Sequence, residues 1–536
     1  MIIIMPSGTN FCIEDRCGIH FWGVHSHDAM WHLEIASVAF KTFPFQVPTF
    51  SGEVLSGYNT LMAYSLYLLS FIGIHPSFTL FKIIPPLWFI LYTIIGIRFA
   101  RLIYDKFLFV LMFLGTIYFA DSFGYVIALY HHGSIFGGAQ SFLMQSISYM
   151  LNPQLAISMP LILWQLIILK REKYNTRSAL TISILFFVIL GLKFYGGVLS
   201  ALICGFFIFE MILKKEKYKK ILMNSFLIAL AGLLSIILFY NPFEAGKTGS
   251  IFTFSPFATV HSVIEAPNMV YLPDMVNARY FLYEAGWSPR LLFIELFSTF
   301  LYFVINFGTR VFGVAYIIYK LILKKVSRFE IYIFLSALVM FLLNISLIQK
   351  GDWWNTVQFG YYSIFLSNVF LSILLFDFLV SKSKVKLALF VLIILITIPS
   401  NLRILRIFAA PDTSYISRKE VEALNFLKEK PYGVVFNSFE SVKGYTFLDY
   451  KNSGYISAYS NKPLYLAHLG PLNIIGIDSK EREKKVLQGD CKILEEVDYV
   501  YIVNGHDLGN MRNCFELEFL SNKIIFKNEE VLVLEL

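Results

Sequence analysis

The sequence predicts a mainly helical, polytopic membrane bundle that ends in a small α/β domain. Three observations carry this. The chain is 57% hydrophobic and only 15% charged, where a soluble globular protein would carry roughly a quarter charged residues. Apolar runs long enough to cross a bilayer, about 20 residues each, recur between residues 80 and 409. Lys and Arg gather in short clusters between alternate runs, which is the orientation signal of a membrane protein and not a nucleic-acid footprint, despite a formal charge of +8.

The runs cover 80–104, 107–120, 153–170, 178–192, 196–213, 220–240, 291–323 (bent near Gly308), 329–348, 357–380 and 386–409, about ten crossings. Basic residues mark every second connection: Arg98, Arg101 and Lys106; Lys170, Arg171, Lys173 and Arg177; Lys214 to Lys220; Lys320, Lys324, Lys325 and Arg328; Lys382, Lys384 and Lys386. The positive-inside rule makes these five loops cytoplasmic. It leaves outside 1–79, 121–152, the turn at Lys193, 241–290, 349–356 and everything after about 410. Both ends then lie outside, while the chain opens on MIIIM, too short for a span or a secretory leader. The charge pattern therefore expects a first helix upstream of this frame.

Three parts follow: a first extracytoplasmic loop at 1–79, a transmembrane bundle at 80–410, and an extracytoplasmic α/β domain at 411–536. Within the first loop, 28–42 and 58–73 read as juxtamembrane helices on the outer face. In the terminal part, 416–430 and 479–489 have helical spacing, the second ending at Gly489, and GVVFN, DYVYIVN and VLVLEL are short β-branched runs. Cys12 with Cys17 and Cys491 with Cys514 are candidate disulfides on an oxidising side, and Cys204, inside an apolar run, only packs.

The densest polar cluster is HSHDAMWHLE at 25–34. A helix starting at Asp28 sets Asp28 and His32 at i,i+4 on one face, with Trp31 beside them and His27 just ahead. Such an acid at the membrane surface suits a general base, or a divalent metal held by Asp28 and His32. The same spacing also suits a helix cap with solvated histidines. Lys193, in GLKFYGG between two spans, suits an anionic ligand, and equally a side chain snorkelling to the interface. Arg290 closes an outer loop that reads as a lid, substrate wall or plain connection. Asn355 and Gln358, i and i+3 in GDWWNTVQFGYYS, suit a sugar or phosphate, while the aromatics around them fit an interfacial belt. Ala245-Gly246-Lys247-Thr248 is like the end of a phosphate-binding loop, but Asn241 stands where its first glycine belongs and no strand precedes it, so it is not read as a nucleotide site.

HDAMWHLE, FPFQVPTFSGEVLSGYN (43–59), FKIIPPLW, NPQLAISMPLIL (152–163), GLKFYGG and WNTVQFGYY resemble the membrane part of the GT-C glycosyltransferases, closest to uncharacterised prokaryotic members. The resemblance implies a first helix, then an outer loop with two juxtamembrane helices, then the remaining spans. It implies catalysis by an acid of the first loop, at Asp28 here, and a polyprenyl-phosphate-linked sugar as donor. Lys193 or Arg290 would then face the donor phosphate, and His27, Trp31, His32, Asn355 and Gln358 would line the substrate. The chain lacks the paired acids that often open that loop and the WWD-type block of oligosaccharyltransferases. The expected activity is sugar transfer at the outer face of the cell membrane. The alternatives are a lipid-linked glycan transporter or flippase, which calls for ionisable residues deep in the spans, and a non-catalytic envelope scaffold.

Overall fold

The computed structural model describes residues 4–136, 142–171, 174–245, 252–349, 353–409, 413–441, 448–515 and 522–536. The boundary expected near 410 and residues 246–248 of the loop-like motif lie outside them. After a hairpin of β1 (Thr9–Ile13) and β2 (Arg16–Trp22), closed by the Cys12–Cys17 disulfide, come α1 (Asp28–Ser37) and α2 (Leu61–Ser70). The bundle follows: α3 (Pro76–Ile103), α4 (Phe107–Phe119), α5 (Gly124–His132), α6 (Pro153–Lys170), α7 (Thr176–Leu192), α8 (Phe194–Leu213) and α9 (Tyr218–Tyr240). Strand β3 (Phe252–Phe254) and two outer helices, α10 (Ala258–Glu265) and α11 (Pro273–Ala285), lead into α12 (Pro289–Phe307), α13 (Arg310–Ile322) and α14 (Arg328–Ser346). Strand β4 (Leu347–Gln349) pairs with β3, and α15 (Val357–Leu379) and α16 (Lys384–Ala409) complete the bundle.

Among the described residues, eight helices are long and apolar enough to cross a membrane: α3, α6, α8, α9, α12, α14, α15 and α16. The helices α4 and α5 form a further candidate bent by 47°, and α7 is apolar but shorter. Four of the starts have a local cause. Asn152 caps α6 ahead of Pro153, Asn175 caps α7, Ser288 caps α12, and Ser327 with Glu330 forms a capping box on α14. The central helix α15 is buried nearly all round, whereas α9 and α16 turn most of their surface outward, as lipid-facing helices do.

The run 291–323 is two helices broken at Gly308, which has φ +54°. A Cβ there would stand 1.9 Å from the Asp121 carbonyl oxygen, so the break in α12–α13 packs directly on the break in α4–α5. Broken helices expose carbonyls that lipid cannot satisfy. Arg310, fully buried, answers several acceptors at once, donating to Ala120 O (2.7 Å), Asn368 Oδ1 (2.7 Å), Gln145 Oε1 (2.9 Å) and Ser146 Oγ (2.9 Å). Asn401 donates to Phe119 O (2.7 Å) and Ser400 to Ser122 O (2.9 Å). The sequence presents the spans as nearly uncharged. Arg310 lies in the middle of one of these apolar runs, and its donors are occupied by this joint.

After the bundle, β5 (Thr413–Ser417) runs antiparallel to β2, pairing Gly18 with Ser417. Only glycine fits at 18, since a Cβ would stand 1.9 Å from Ile416 O. The first loop and the terminal segment therefore share one sheet. Next come α17 (Arg418–Glu429), started by a Ser417–Glu420 capping box, β6 (Val435–Phe436), α18 (Leu469–Ile475) and α19 (Lys480–Gln488). Strands β7 (Tyr499–Val503), β8 (Ile524–Lys527) and β9 (Val531–Glu535) then build a four-stranded sheet in the order β8-β9-β7-β6. Only the β6–β7 pair is parallel. Gly489 ends α19 with φ +70°, and Cys491–Cys514 ties the following turn. Cys204 is free and buried.

Candidate functional site

Helix α1 begins at Asp28, where a carboxylate suits the positive end of the helix dipole. The His27 Nδ1 lies 2.7 Å from Asp28 Oδ1 and binds it. Spacings of three and four turn Asp28, Trp31 and His32 to the same side, and all three line a cavity of about 860 Å³. This size lies within the range of ligand pockets. Asp28 is 58% exposed, open to that cavity.

Lys193 lines the same cavity, in extended backbone between α7 and α8 and 6% exposed. The turn is tight: a Cβ on Gly197 would stand 2.3 Å from Leu190 Cδ1, and one on Gly196 2.5 Å from the Tyr362 hydroxyl. The two glycines thus allow α7 and α8 to meet with a lysine at their junction. Among the described residues, no carboxylate lies within ion-pair distance of Lys193. Asn59 fastens the loop wall beside it, donating to Gln154 Oε1 (2.7 Å) and Leu192 O (2.9 Å).

A third wall comes from β4 and the start of α15. Gln349 Oε1 accepts from the Tyr195 hydroxyl (2.7 Å) and Asn355 Nδ2 (2.9 Å), and Asn355 Oδ1 accepts from Gln358 Nε2. A fourth comes from α18, through Gly470, Pro471, Asn473 and Ile474. The terminal segment therefore closes the cavity directly.

Behind α1 lies a pair the sequence did not single out. Glu34 and His468 are both fully buried, and His468 Nδ1 is 3.0 Å from each Glu34 carboxylate oxygen. Glu34 Oε1 also accepts from Gly454 N (2.8 Å). The His468 ring meets His27 edge-on at 4.7 Å between centroids and Trp31 at 5.8 Å. Glu34 thus anchors the terminal segment, and His468 packs behind the imidazole that binds Asp28.

The electrostatics follow from burial and these neighbours. Burial pulls the Lys193 ammonium down to about 8, with Asp28 opposing the shift. Burial, then the Lys193 charge, brings the His32 imidazole down to about 3, so it stays neutral. His25, buried and 2.7 Å from Ser7 Oγ, is held at about 4 by burial. Burial also lowers His27, but the hydrogen bond and charge of Asp28 outweigh it and its pKa lies above the usual histidine value. For Asp28, burial pushes upward, and the His27 bond and the charges of His27 and His468 prevail, so its carboxyl lies below the usual range. Asp28 is ionised at neutral pH.

The cavity gathers His27, Asp28, Trp31, His32, Lys193, Asn355 and Gln358. Arg290 is not among the lining residues; it sits exposed in the first turn of α12. Among the described residues, no group of three or more His, Cys, Asp and Glu side chains could hold a metal ion, and Asp28 with His32 does not make one. Gln349, Tyr195, Tyr58 and Asn473 also line the cavity. They come from four separate stretches with no motif to join them, so only the fold shows them together.

No family model and no curated protein matches this chain. Among solved structures, it is similar to the Archaeoglobus fulgidus oligosaccharyltransferase crystallised with zinc and sulfate, with a TM-score of 0.46 and 12% identity. The match spans 94% of this chain and 67% of that one. The chemistry of the site is argued from this chain's own residues.

Proposed function

We propose that this chain is an integral membrane glycosyltransferase, moving a sugar from a polyprenyl-phosphate donor to a hydroxyl acceptor at the extracytoplasmic face. The observation that carries it is the convergence of Asp28 and Lys193 on one cavity, an accessible carboxylate and a buried cation without a carboxylate partner. A buried ammonium lacking a counter-charge favours an anionic ligand, and a phosphodiester supplies one charge. The acceptor hydroxyl donates to Asp28, and its oxygen attacks the anomeric carbon from the side opposite the phosphate. The anomeric C–O bond breaks, and its electron pair leaves on the lipid phosphate beside Lys193. The acceptor proton passes to Asp28. With a pKa below the usual range, Asp28 is a weak base, so that transfer comes late, once the new bond has made the hydroxyl acidic. Inversion at the anomeric carbon follows. No step here uses a metal ion.

The test is transfer from a radiolabelled polyprenyl-monophosphate sugar by the protein in lipid nanodiscs. Asp28→Asn keeps the shape and removes the base, with an expected loss of about 10²–10⁴-fold in kcat. Lys193→Met is expected to raise the donor Kd by about tenfold or more, one charge-assisted contact. Full transfer by Asp28→Asn would overturn the assignment.

A further inference from the structure

Helix α11 buries almost nothing of itself. Of its 13 residues only Arg279 is buried. The Arg279 guanidinium is held by Glu265 (2.6 Å) and Glu295 (3.2 Å), with His261 Nδ1 2.6 Å away. Those partners belong to α10 and α12, so one side chain pins α11 to both neighbours. Its outer surface carries large aromatics instead: Phe281 is 72% exposed, Tyr283 71%, and Trp287, just beyond the helix, 78%. A helix of this length is marginal in water by itself, and a water-facing surface rarely shows so many large apolar rings.

Trp287 is followed at once by α12, which is long and apolar enough to cross a membrane. Arg290, Phe293, Phe297 and Phe300 follow one another on α12 at spacings of three and four, so they share a side of the helix. Phe293 and Phe300 are exposed there, and the Phe293 ring stacks on Phe297 at 6.0 Å between centroids. This is the side that hydrocarbon covers, and exposed Arg290 stands at its head. Among the described residues, no carboxylate lies within ion-pair distance of Arg290.

We infer that the corner between α11 and α12 rests on the bilayer, with Phe281, Tyr283 and Trp287 in the headgroup layer of the leaflet on the cavity side and Arg290 on a phospholipid phosphate. Hydrocarbon would strand the guanidinium, and water would strand the rings. The headgroup layer suits both, since Tyr and Trp collect there and Arg grips phosphate through paired N–H donors. The anchor also reaches the cavity. Phe257 N donates to Ile345 O (2.7 Å), Ser255 N donates to Ser346 O (2.9 Å), and β3 pairs with β4, whose Gln349 lines the cavity. The seated corner therefore sets the height of that wall above the bilayer. This inference is independent of the reaction the cavity carries out.

The test places the protein in phosphatidylcholine nanodiscs whose acyl chains carry bromine either next to the headgroups or near the bilayer centre, and reads tryptophan emission. The difference between the unsubstituted protein and Trp287→Phe isolates Trp287, and Trp164→Phe isolates Trp164 in the same way. Trp164, exposed and about 16 Å along α6 from Pro153, marks the middle of the hydrocarbon. Shallow bromines should quench Trp287 more than deep ones do, and Trp164 should show the reverse. Arg290→Glu sets a carboxylate against the lipid phosphates, so Trp287 should lose most of its shallow quenching while Trp164 keeps its own. Trp287 emission that neither bromine touches, or that follows the deep pattern of Trp164, would overturn the inference. Disulfide-linked pairs formed by Trp287→Cys, without lipid quenching of Trp287, would give the face to a second copy of this chain and overturn it too. Unchanged quenching of Trp287 in Arg290→Glu would remove Arg290 from the headgroup phosphate, and a raised Kd for the polyprenyl-phosphate sugar in that variant would assign it to the donor instead.

Discussion

At the scale of single residues, Lys193 gives the most direct pH signature. Its pKa of about 8 means that the ammonium is charged below that pH and lost above it. A bound phosphate holds the proton on, so the Kd for the polyprenyl-phosphate sugar, a diester that does not itself titrate here, should stay flat up to about pH 8 and then rise about tenfold per pH unit. Asp28 supports the charge, so Asp28→Asn should move the start of that rise to lower pH. Lys193→Arg keeps a cation at every accessible pH and should abolish the rise. A Kd that stays flat from about pH 7 to about pH 10 in the unsubstituted protein would remove Lys193 from the phosphate site. The acid side differs. Asp28 lies below the usual carboxylate range and His27 above the usual histidine value, so on acidification His27 gains its proton well before Asp28 loses its charge. Much of this chemistry was legible because Asp28, Trp31 and His32 repeat at helical spacing within one short word of sequence. Glu34 sits in that same word, yet its role was not legible. Its partner His468 is 434 residues away, and the long-range fold alone brings the two together.

At the scale of elements, the legible features were those with a local cause. Helix α1 starts at Asp28, α19 stops at Gly489, and β6, β7 and β9 follow β-branched runs, because caps, glycines and side-chain shape act over a few residues. The two breaks were hidden for the opposite reason. Run 107–120 reads as an ordinary span, and nothing near it indicates that its end folds against Gly308. The bend near Gly308 was visible, but Arg310 was absorbed into the same apolar run, and its partners come from α4, α15 and the 142–152 segment. The joint makes a strong prediction. Gly308→Ala asks a residue with a Cβ to adopt φ +54° and to occupy space 1.9 Å from a backbone oxygen. The backbone conformation alone costs about 1 kcal/mol, and relief of the contact requires the two breaks to separate. Thermal unfolding in detergent should show a clear drop in midpoint, with Gly115→Ala, where nothing lies within 4 Å, as the comparison. Equal stability of the two variants would mean that the breaks do not pack as described.

At the scale of the whole molecule, helix order, charge and disulfides agree on one arrangement. The connections α3–α4, α6–α7, α8–α9, α13–α14 and α15–α16 carry the basic clusters. The Asp28 cavity and the terminal sheet belong to the intervening connections, as do both cystine pairs. Positive charge is retained on the cytoplasmic side, and cystines persist on the oxidising side, so two unrelated mechanisms predict the same orientation. A membrane-impermeant thiol reagent tests it on single cysteines placed at exposed sites. Lys324→Cys, in the α13–α14 connection, should react only after the cells are permeabilised. Tyr432→Cys, on the terminal segment between α17 and β6, should react in intact cells. The native Cys204 is buried and should stay silent in both, which makes it an internal control. The reverse pattern would place the cavity on the cytoplasmic side, among reduced thiols and soluble nucleotide-sugar donors, and a lipid-phosphate donor on the outer leaflet would no longer fit. Labelling of both positions in intact cells would mean that helices α14–α16 do not cross as the charge pattern requires.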